Sequence, residues 1–234
     1  MNTLEWKDGN LPVSTQFNDP YYSAQDGRAE TRHVFIESNK LQLRWPDMAH
    51  CIIAELGFGT GLNFLETVHI WQKLKQQSAR LHFISYEKYP IQSQDMKKAL
   101  SRWPELGSLT NELCRHWKTD LSKLDIPFTD DVHLTVHFGD ANQLISNQTE
   151  YADAWYLDGF APSRNPELWN ETLMQHVFNH TSAGGSFATY TAAGFVRRGL
   201  EAAGFQVNKV AGFGTKREML IGKKMHDTDV ANRH

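Results

Sequence analysis

Cysteine is scarce in this sequence, and no metal-binding motif stands in for it. Cys51 and Cys114 are the only cysteines among 234 residues, and neither belongs to a C-x-x-C motif or a Cys/His cluster. A disulfide, a zinc site and a cysteine nucleophile are therefore all disfavoured. Eleven histidines are present, but the H-E-x-x-H motif is missing. We predict two bystander thiols and no protein-bound metal.

Long hydrophobic runs are also missing. No apolar stretch approaches the roughly 20 residues that a membrane helix needs, and residues 1–10 are mixed polar where a signal peptide would be apolar. The formal net charge of −3 shows no overall basic excess of the kind that marks many nucleic-acid-binding domains. The length suits one α/β domain with extensions better than two domains. We expect a cytoplasmic protein that has no membrane partner.

A missing glycine distinguishes between classes of cofactor. An apolar run, predicted to be a buried strand, ends near Glu55 and is followed by Gly57, Gly59 and Gly61. The dinucleotide fingerprint G-x-G-x-x-G would need glycine where Leu62 stands. An acid followed by alternating glycines suits a ligand with a cationic amino group, such as S-adenosylmethionine, better than a pyrophosphate. A plain tight turn remains the alternative for the glycines alone.

Three more acids follow predicted strands. Glu87 ends the second strand, where a carboxylate can accept hydrogen bonds from two ribose hydroxyls. Asp140 follows the third strand, where it suits an adenine amino group, a helix N-cap, or both. Asp158 follows the fourth strand. Because open α/β sheets bind ligands at the carboxyl ends of their strands, we expect Asp158 to face the reactive group of the cofactor.

The sequence pattern divides the whole chain into three parts. Residues 1–50 are interpreted as an N-terminal extension packed on the domain, with a hairpin turn at residues 8–10. Residues 51–224 form the domain itself, with helices predicted to begin at Pro90, Pro104 and Glu167 and a closing pair of antiparallel strands. Residues 225–234 are a polar tail, expected to be disordered or to begin an interdomain linker.

Four segments resemble the class I S-adenosylmethionine-dependent methyltransferases: ELGFGTGLNF (residues 55–64), YLDGFAPSRNPELW (156–169), the run at 184–205, and GFGTKREML (212–220). The second and fourth are the more specific, and they resemble the branch that acts on the wobble uridine of tRNA as one half of a bifunctional bacterial enzyme. The resemblance implies a Rossmann-like α/β fold, with a seven-stranded, mostly parallel sheet whose last strand is antiparallel.

The resemblance also implies a reaction and a cofactor site. Methyl transfer from S-adenosylmethionine to the amine of 5-aminomethyl-2-thiouridine at position 34 would give 5-methylaminomethyl-2-thiouridine. Asp158 would be catalytic, holding the amine and accepting its proton directly or through water. The cofactor would be held by the strand-end acids and the glycine turn: Glu55 for the methionine amino group, Gly57, Gly59 and Gly61 for close approach, Glu87 for the ribose, and Asp140 for the adenine.

Substrate contacts are expected from aromatic and basic side chains, since RNA loops are read by base stacking and phosphate contacts. Candidate stacking partners for the uracil are Phe160, Tyr190 and Phe213, each with a core position as its alternative. Candidate phosphate contacts come from the final third of the chain, where basic residues outnumber acids: Arg197, Arg198, Lys216 and Arg217. A solvated basic face is the alternative for any one of these.

This chain departs from the bifunctional enzyme in its partner domain. In the bifunctional enzyme a FAD-dependent oxidase follows this domain, whereas this chain stops at His234 without a second glycine fingerprint. We expect a fragment of a longer protein rather than a stand-alone form, with FAD only in a fused or separate oxidase. Rival hypotheses are an N-methyltransferase for a small-molecule amine, a nicotinamide oxidoreductase, which Leu62 disfavours, and a non-catalytic RNA-binding module. The sequence does not indicate the oligomeric state.

Overall fold

The computed structural model describes residues 4–226, so most of the predicted polar tail lies outside the described residues. The chain begins with a small antiparallel sheet of three strands: β1 (Leu4–Lys7), β2 (Leu11–Ser14) and β3 (Asp19–Pro20). The predicted hairpin turn at residues 8–10 joins the first two strands. Asp8 and Gly9 both have positive φ angles, of 49° and 83°, which is the backbone that a tight hairpin turn requires.

A large mixed sheet forms the centre of the fold. In chain order its strands are β4 (His50–Leu56), β5 (Arg80–Glu87), β6 (Lys123–Thr129), β7 (Val132–Phe138), β8 (Ala152–Leu157), β9 (Thr181–Thr189), β10 (Gln206–Ala211) and β11 (Glu218–Lys223). Their spatial order is β10-β11-β9-β8-β4-β5-β7-β6. The strands from β9 to β7 are parallel, and β11 is antiparallel to both β9 and β10. The predicted Rossmann-like fold and its antiparallel closing pair are confirmed.

The sheet has eight strands, so the predicted number of seven is wrong by one edge strand. The strand that the sequence pattern missed is β6, which pairs antiparallel with β7. It carries Lys123, Asp125 and Pro127, and its register shifts between Pro127 and Thr129. Leu124, Ile126 and Phe128 do alternate with the other residues of β6, but Pro127 counts against a strand unless that strand lies at the edge of a sheet.

Helices cover both faces of the sheet. Their bounds are α1 (Gly27–Thr31), a π-helical turn (Arg32–Glu37), α2 (Leu41–Arg44), α3 (Leu62–Leu74), α4 (Ser93–Leu100), α5 (Gly107–His116), α6 (Ala141–Leu144), α7 (Glu171–Asn179) and α8 (Gly194–Ala203). Short 3-10 turns lie at Trp45–Asp47, Pro104–Leu106, Ile145–Asn147 and Pro166–Leu168. None of the helices between residues 4 and 226 is long and apolar enough to cross a membrane.

Two predicted helix starts are wrong by a few residues. The helix expected from Pro90 begins at Ser93. The helix expected from Glu167 begins at Glu171, because a 3-10 turn ends at Leu168 and the side chain of Asn170 caps α7 by accepting a hydrogen bond of 2.9 Å from the Leu173 N–H. An Asn cap satisfies a backbone donor that the helix start leaves free, so it defines the boundary more strongly than the preceding proline.

The N-terminal segment is part of the core. Trp45 packs edge-on against Trp71 of α3 at 5.5 Å between ring centroids, and Phe35 stacks on Tyr156 of β8 at 4.9 Å. All four side chains are buried. Residues before β4 therefore cover one face of the large sheet, and this packing brings the segment around α1 to the carboxyl ends of the parallel strands.

Candidate active site

A cavity of about 520 Å³ lies at the carboxyl ends of the parallel strands. The loops that follow β4, β5, β7 and β8 line it, as do most residues between positions 19 and 31 and the loop between β10 and β11. This volume falls within the roughly 300–1,000 Å³ of typical small-molecule sites. The position is the one where open parallel sheets bind ligands, because the loops diverge there and leave a crevice.

The glycine turn after β4 contributes two of its three glycines to the cavity. Gly57 and Gly59 line it and have φ angles of 86° and 55°. A Cβ at Gly57 would lie 3.3 Å from Cα of Gly159, so the turn packs directly against the loop after β8. Gly61 also has a positive φ, of 78°, but does not line the cavity; a Cβ there would lie 2.8 Å from Cδ2 of Leu113 in α5. Gly61 thus serves helix packing in this geometry.

Glu87 connects the end of β5 to the glycine turn. Its buried carboxylate lines the cavity, with Oε2 accepting a hydrogen bond of 2.7 Å from the Gly59 N–H and Oε1 accepting one of 2.6 Å from the Tyr89 N–H. Burial raises the pKa of Glu87, although these backbone donors oppose the rise. The structure therefore holds an oriented hydrogen-bond acceptor where the ribose contact is predicted.

Asp140 lines the cavity and also caps α6, so the predicted adenine contact and the predicted helix N-cap are compatible. Its Oδ1 accepts a hydrogen bond of 3.0 Å from the Asn142 N–H at the start of α6, and its Oδ2 lies 2.7 Å from Nζ of Lys88. Burial alone would raise the pKa of Asp140, but the hydrogen bonds from Lys88 and Asn142 outweigh it, and the net shift is downward. Asp140 is thus held as an anion at the rim.

Glu55 lies beneath the cavity rather than in its lining. Its fully buried carboxylate accepts hydrogen bonds from Ser85 Oγ at 2.8 Å and from Asn63 Nδ2 at 3.0 Å. Burial, with a smaller contribution from the charge of Asp158, raises the pKa of Glu55 to about 8. The contact predicted between Glu55 and a methionine amino group stays a prediction, and Asn63 stands between this acid and the cavity.

Asp158 faces the cavity at the end of β8. Its Oδ2 accepts a hydrogen bond of 2.7 Å from Asn63 Nδ2, and its Oδ1 accepts one of 2.8 Å from the Gly159 N–H. Removal from bulk water raises the pKa of Asp158 to about 7, against the lowering effect of these two donors. A carboxylate with a pKa near neutrality can accept and release a proton under physiological conditions, which suits general base chemistry.

Among the predicted substrate residues, Phe160, Tyr190, Phe213 and Lys216 line the cavity. Phe160 is already stacked on Phe17, at 4.5 Å between ring centroids and 20° between planes. The remaining candidates do not line the cavity and are exposed or partly exposed at the surface: Arg197, which pairs with Glu201 at 2.9 Å, Arg198 and Arg217. The structure thus brings the aromatic candidates and one lysine to the site, and leaves three arginines outside it.

The lining residues that sequence reasoning missed include Asn63, Glu30 and Asp19. Asn63 lies in the first turn of α3, directly after the glycine turn, which is the only local signal that it carries. Glu30 and Asp19 lie in the N-terminal segment, far from the strand ends in sequence. Carboxylates outnumber lysines in the lining: Asp19, Glu30, Glu87, Asp140, Asp158 and Glu167 against Lys88 and Lys216. Such an excess favours a cationic ligand over an anionic one.

A family model described as S-adenosyl-L-methionine-dependent methyltransferase matches residues 104–225, just over half of the chain. The chain belongs to this family. The predicted enzyme class and methyl donor are thereby confirmed. The site fits the donor in three respects: the glycine turn lines the cavity with backbone at Gly57 and Gly59, Glu87 presents an oriented acceptor, and the excess of carboxylates matches a sulfonium cation.

Two curated relatives resemble this methyltransferase over nearly its whole length, and both are named tRNA 5-methylaminomethyl-2-thiouridine biosynthesis bifunctional protein MnmC. The protein of Methylobacillus flagellatus is 44% identical over 225 residues, which cover 94% of this chain and 35% of the relative. That of Actinobacillus pleuropneumoniae is 42% identical over 240 residues, covering 98% and 36%. The chain therefore spans about a third of the length of these relatives.

A solved structure shares the fold of this methyltransferase. MnmC2 from Aquifex aeolicus superposes with a TM-score of 0.79 at 20% sequence identity, over 97% of this chain and 71% of that one. At this level of identity the likeness concerns the fold. It agrees with the mostly parallel sheet and with the presence of an N-terminal segment that packs on it.

Proposed function

We propose that this methyltransferase transfers a methyl group from S-adenosylmethionine to the amine of 5-aminomethyl-2-thiouridine at position 34 of tRNA, giving 5-methylaminomethyl-2-thiouridine. The observation that carries the proposal is the alignment of 94% and 98% of this chain with two relatives named for that modification. Because those relatives are about three times as long and are named bifunctional, we propose a FAD-dependent oxidase, fused or separate, as the partner activity.

Methyl transfer to an amine requires a base and a rigid pocket. When bound, S-adenosylmethionine supplies a methyl group on a sulfonium, and the sulfur takes back the electron pair of the broken C–S bond. The acceptor nitrogen forms the new N–C bond with its lone pair, so it must be neutral, whereas alkylamines resembling lysine have a pKa near 10.4. Asp158, with its pKa raised to about 7, would take the proton from the nitrogen. Asn63 would hold the Asp158 carboxylate in place.

The cofactor contacts proposed for this chain follow the geometry of the strand ends. Glu87 would accept hydrogen bonds from the ribose in addition to its two backbone donors, because each carboxylate oxygen can accept two hydrogen bonds. Asp140 would accept one hydrogen bond from the adenine amino group. Gly57 and Gly59 would allow the cofactor to approach the backbone. Glu55 would act on the methionine amino group only through Asn63, because its carboxylate is fully buried beneath the cavity.

The acceptor contacts are proposed from the remaining lining. Tyr190 and Phe213 would flank the uracil, and Phe160 would contribute an edge or one face, since Phe17 covers its other face. Arg197, Arg198 and Arg217, which lie outside the cavity, are proposed as phosphate contacts for the surrounding tRNA. Phosphate contacts need not enter the site, and they would make tRNA affinity depend on salt concentration.

The proposal is tested by mass spectrometry of the wobble nucleoside. The protein is incubated with isotopically labelled S-adenosylmethionine and with tRNA that carries the aminomethyl group, and a second sample contains tRNA whose wobble uridine lacks it. We expect one labelled methyl group per aminomethyl tRNA and none in the second sample. Labelling of a small-molecule amine in a metabolite panel, with no labelling of tRNA, would replace the proposal by the small-molecule alternative.

A further inference from the structure

The ammonium group of Lys216 lies in a site that is suited to a ligand. Its Nζ is 3.1 Å from Oε1 of Glu30 and 4.0 Å from the centroid of the Tyr190 ring. A carboxylate beside an aromatic face is a favourable environment for an alkylammonium ion, because both present negative charge to it. All three residues line the same cavity as Asp158. The cavity that contains the proposed base thus already holds a primary alkylammonium group, which belongs to the protein itself.

Glu30 and Tyr190, which form the two walls of this site, are held in place by hydrogen bonds that do not involve Lys216. Glu30 lies in α1, and its second oxygen, Oε2, accepts a hydrogen bond of 2.9 Å from the Ser23 N–H. The Tyr190 hydroxyl donates a hydrogen bond of 2.9 Å to the Gly159 carbonyl oxygen, in the loop that carries Asp158. Glu30 and Tyr190 therefore keep their positions without Lys216.

Lys216 is the residue of this site whose charged group a ligand can displace. It comes from the loop between β10 and β11, and its side chain is 43% exposed, whereas that of Glu30 is only 16% exposed. An ion pair with one partly solvated member contributes little to stability, because water competes for the charge and an ordered long side chain loses entropy. A ligand ammonium can therefore take the place of the Lys216 ammonium at small cost.

The proposed acceptor needs such a site. Its reactive group is a methylene carrying an amine, the same head group that lysine presents, and at pH 7 most of it arrives protonated. The cation must be held before its proton is lost, and the base must be close by. The Tyr190 hydroxyl donates to the carbonyl oxygen of Gly159, the residue that follows Asp158, so the aromatic side of the site adjoins the loop of the base.

We propose that the Glu30 carboxylate and the Tyr190 ring form a binding site for the primary alkylammonium group of the acceptor, which Lys216 fills in the free protein and leaves when the acceptor enters. The inference rests on the proposed function, because it takes the acceptor to be an aminomethyl uridine. It assigns Lys216 the part of an internal competitor for the acceptor amine.

The experiment uses opposite effects of two substitutions. Binding of the nucleoside 5-aminomethyluridine is measured by calorimetry in the presence of saturating S-adenosylhomocysteine, with 5-methyluridine, which lacks the amine, as the matched ligand. We expect Glu30→Gln to weaken binding of the amine nucleoside at least about tenfold, since a charge-assisted contact is lost. We expect Lys216→Met to tighten it by about twofold to fivefold, since a weak competing ion pair is removed. Neither substitution should change the binding of 5-methyluridine.

The control variant is Lys209→Met, which removes a lysine whose partner is Glu218, at 2.8 Å, and which does not line the cavity. It should bind both nucleosides as the wild type does, and all variants should bind S-adenosylhomocysteine with wild-type affinity if they are folded. The site is overturned if Lys216→Met weakens or does not change amine binding, if Glu30→Gln has no effect, or if the wild type does not prefer the amine nucleoside.

Methyl transfer to tRNA is measured separately, so that the two proposals fail in different ways. A wild-type protein that shows the opposite shifts but does not methylate aminomethyl tRNA would lose the tRNA assignment and keep the alkylammonium site. A protein that methylates the tRNA without the opposite shifts would keep its proposed function and lose this site.

Discussion

Nδ2 of Asn63 lies 2.7 Å from Oδ2 of Asp158. The same nitrogen lies 3.0 Å from Oε1 of Glu55, and the amide oxygen of Asn63 lies 2.7 Å from Oγ1 of Thr31. Because an ionised carboxylate can only accept hydrogen bonds, the NH₂ group must face Asp158, and the Thr31 hydroxyl can then donate to the amide oxygen. One amide thus links the glycine-turn helix to the acid beneath the cavity and to the acid that faces it.

Substitution of Asn63 by alanine should change the pH dependence of the reaction. The Asn63 hydrogen bond lowers the pKa of Asp158, so its loss should raise that pKa further and move the rising limb of kcat/KM by about one pH unit to higher pH. The matched control is Asn208→Ala, an exposed position on β10. The amine of the substrate titrates identically with both proteins, so an unchanged midpoint for Asn63→Ala would remove Asn63 from its positioning role.

Replacement of Asp158 by asparagine should separate binding from turnover. The variant keeps the size of the side chain but cannot accept a proton, and loss of a general base reduces rates by about 10²- to 10⁴-fold. We expect kcat on aminomethyl tRNA to fall in that range and affinity for S-adenosylhomocysteine, measured by calorimetry, to change less than about threefold. In the wild type, activity should rise as the pH increases through about 7, where Asp158 becomes ionised. Turnover comparable to that of the wild type would exclude Asp158 as the base.

Glu87 should contribute to cofactor affinity rather than to the acceptor. Its carboxylate is already oriented by the Gly59 and Tyr89 N–H groups, and it would offer two acceptor oxygens to the ribose. Glu87→Ala should weaken S-adenosylhomocysteine binding by about tenfold or more, since hydrogen bonds to a charged group are lost. Calorimetry checks this, with Glu171→Ala, an exposed acid at the start of α7, as the control. Equal affinity in both variants would rule out the ribose contact.

The buried acid Glu55 should make folding stability depend on pH. Burial raises its pKa from the usual glutamate value of about 4.3 to about 8, so between those pH values the folded state holds a proton that the unfolded state has released. Stability from this group is therefore present at low pH and is lost as the pH rises toward 8. The Tm of the wild type should fall between pH 5 and pH 8 by at least about 2 °C more than that of Glu55→Gln. Parallel Tm curves for the two proteins would contradict a raised pKa at Glu55.

A site residue can be predicted from the sequence only where it belongs to a recognisable local pattern. Glu87 and Asp158 are predictable because each follows an apolar strand, and parallel strands gather their carboxyl ends at one edge. Gly61 shows the limit of that reasoning: glycine spacing does not distinguish a position that leaves room for a ligand from one that leaves room for Leu113 of a neighbouring helix. Glu30 carries no pattern at all, since it reaches the cavity only through the packing of α1 against α3.

The same limit applies to the fold. The other seven strands of the large sheet contain no proline and are predictable, whereas β6 alternates at Leu124, Ile126 and Phe128 but contains Pro127. That proline is tolerated because β6 lies at the edge of the sheet and pairs only with β7, which a single sequence does not show. Tertiary pairing overrides local propensity in such edge strands.

Besides the aromatic contacts of Phe35 and Trp45, one buried acid helps to attach the N-terminal segment to the domain. Glu66 of α3 is fully buried, and its two oxygens pair with Arg28 Nε at 2.6 Å and Arg32 Nε at 2.5 Å. Arg28 is itself nearly buried, and Glu105, 3.3 Å from its Nη1, is largely exposed, so removing Glu66 leaves the interior charge of Arg28 only weakly compensated. Glu66→Ala should reduce the free energy of unfolding by about 3–5 kcal/mol.

Urea denaturation measures this loss, with Glu201→Ala as the control. Glu201 belongs to an i,i+4 pair with Arg197 whose side chains are both about 40% exposed, and its removal should reduce the free energy of unfolding by less than about 0.5 kcal/mol. Glu66→Gln, which keeps the shape but not the charge, should fall between the two. If Glu66→Ala is no more damaging than Glu201→Ala, the two arginines must find other partners, and the segment that carries Glu30 does not depend on this triad for its position.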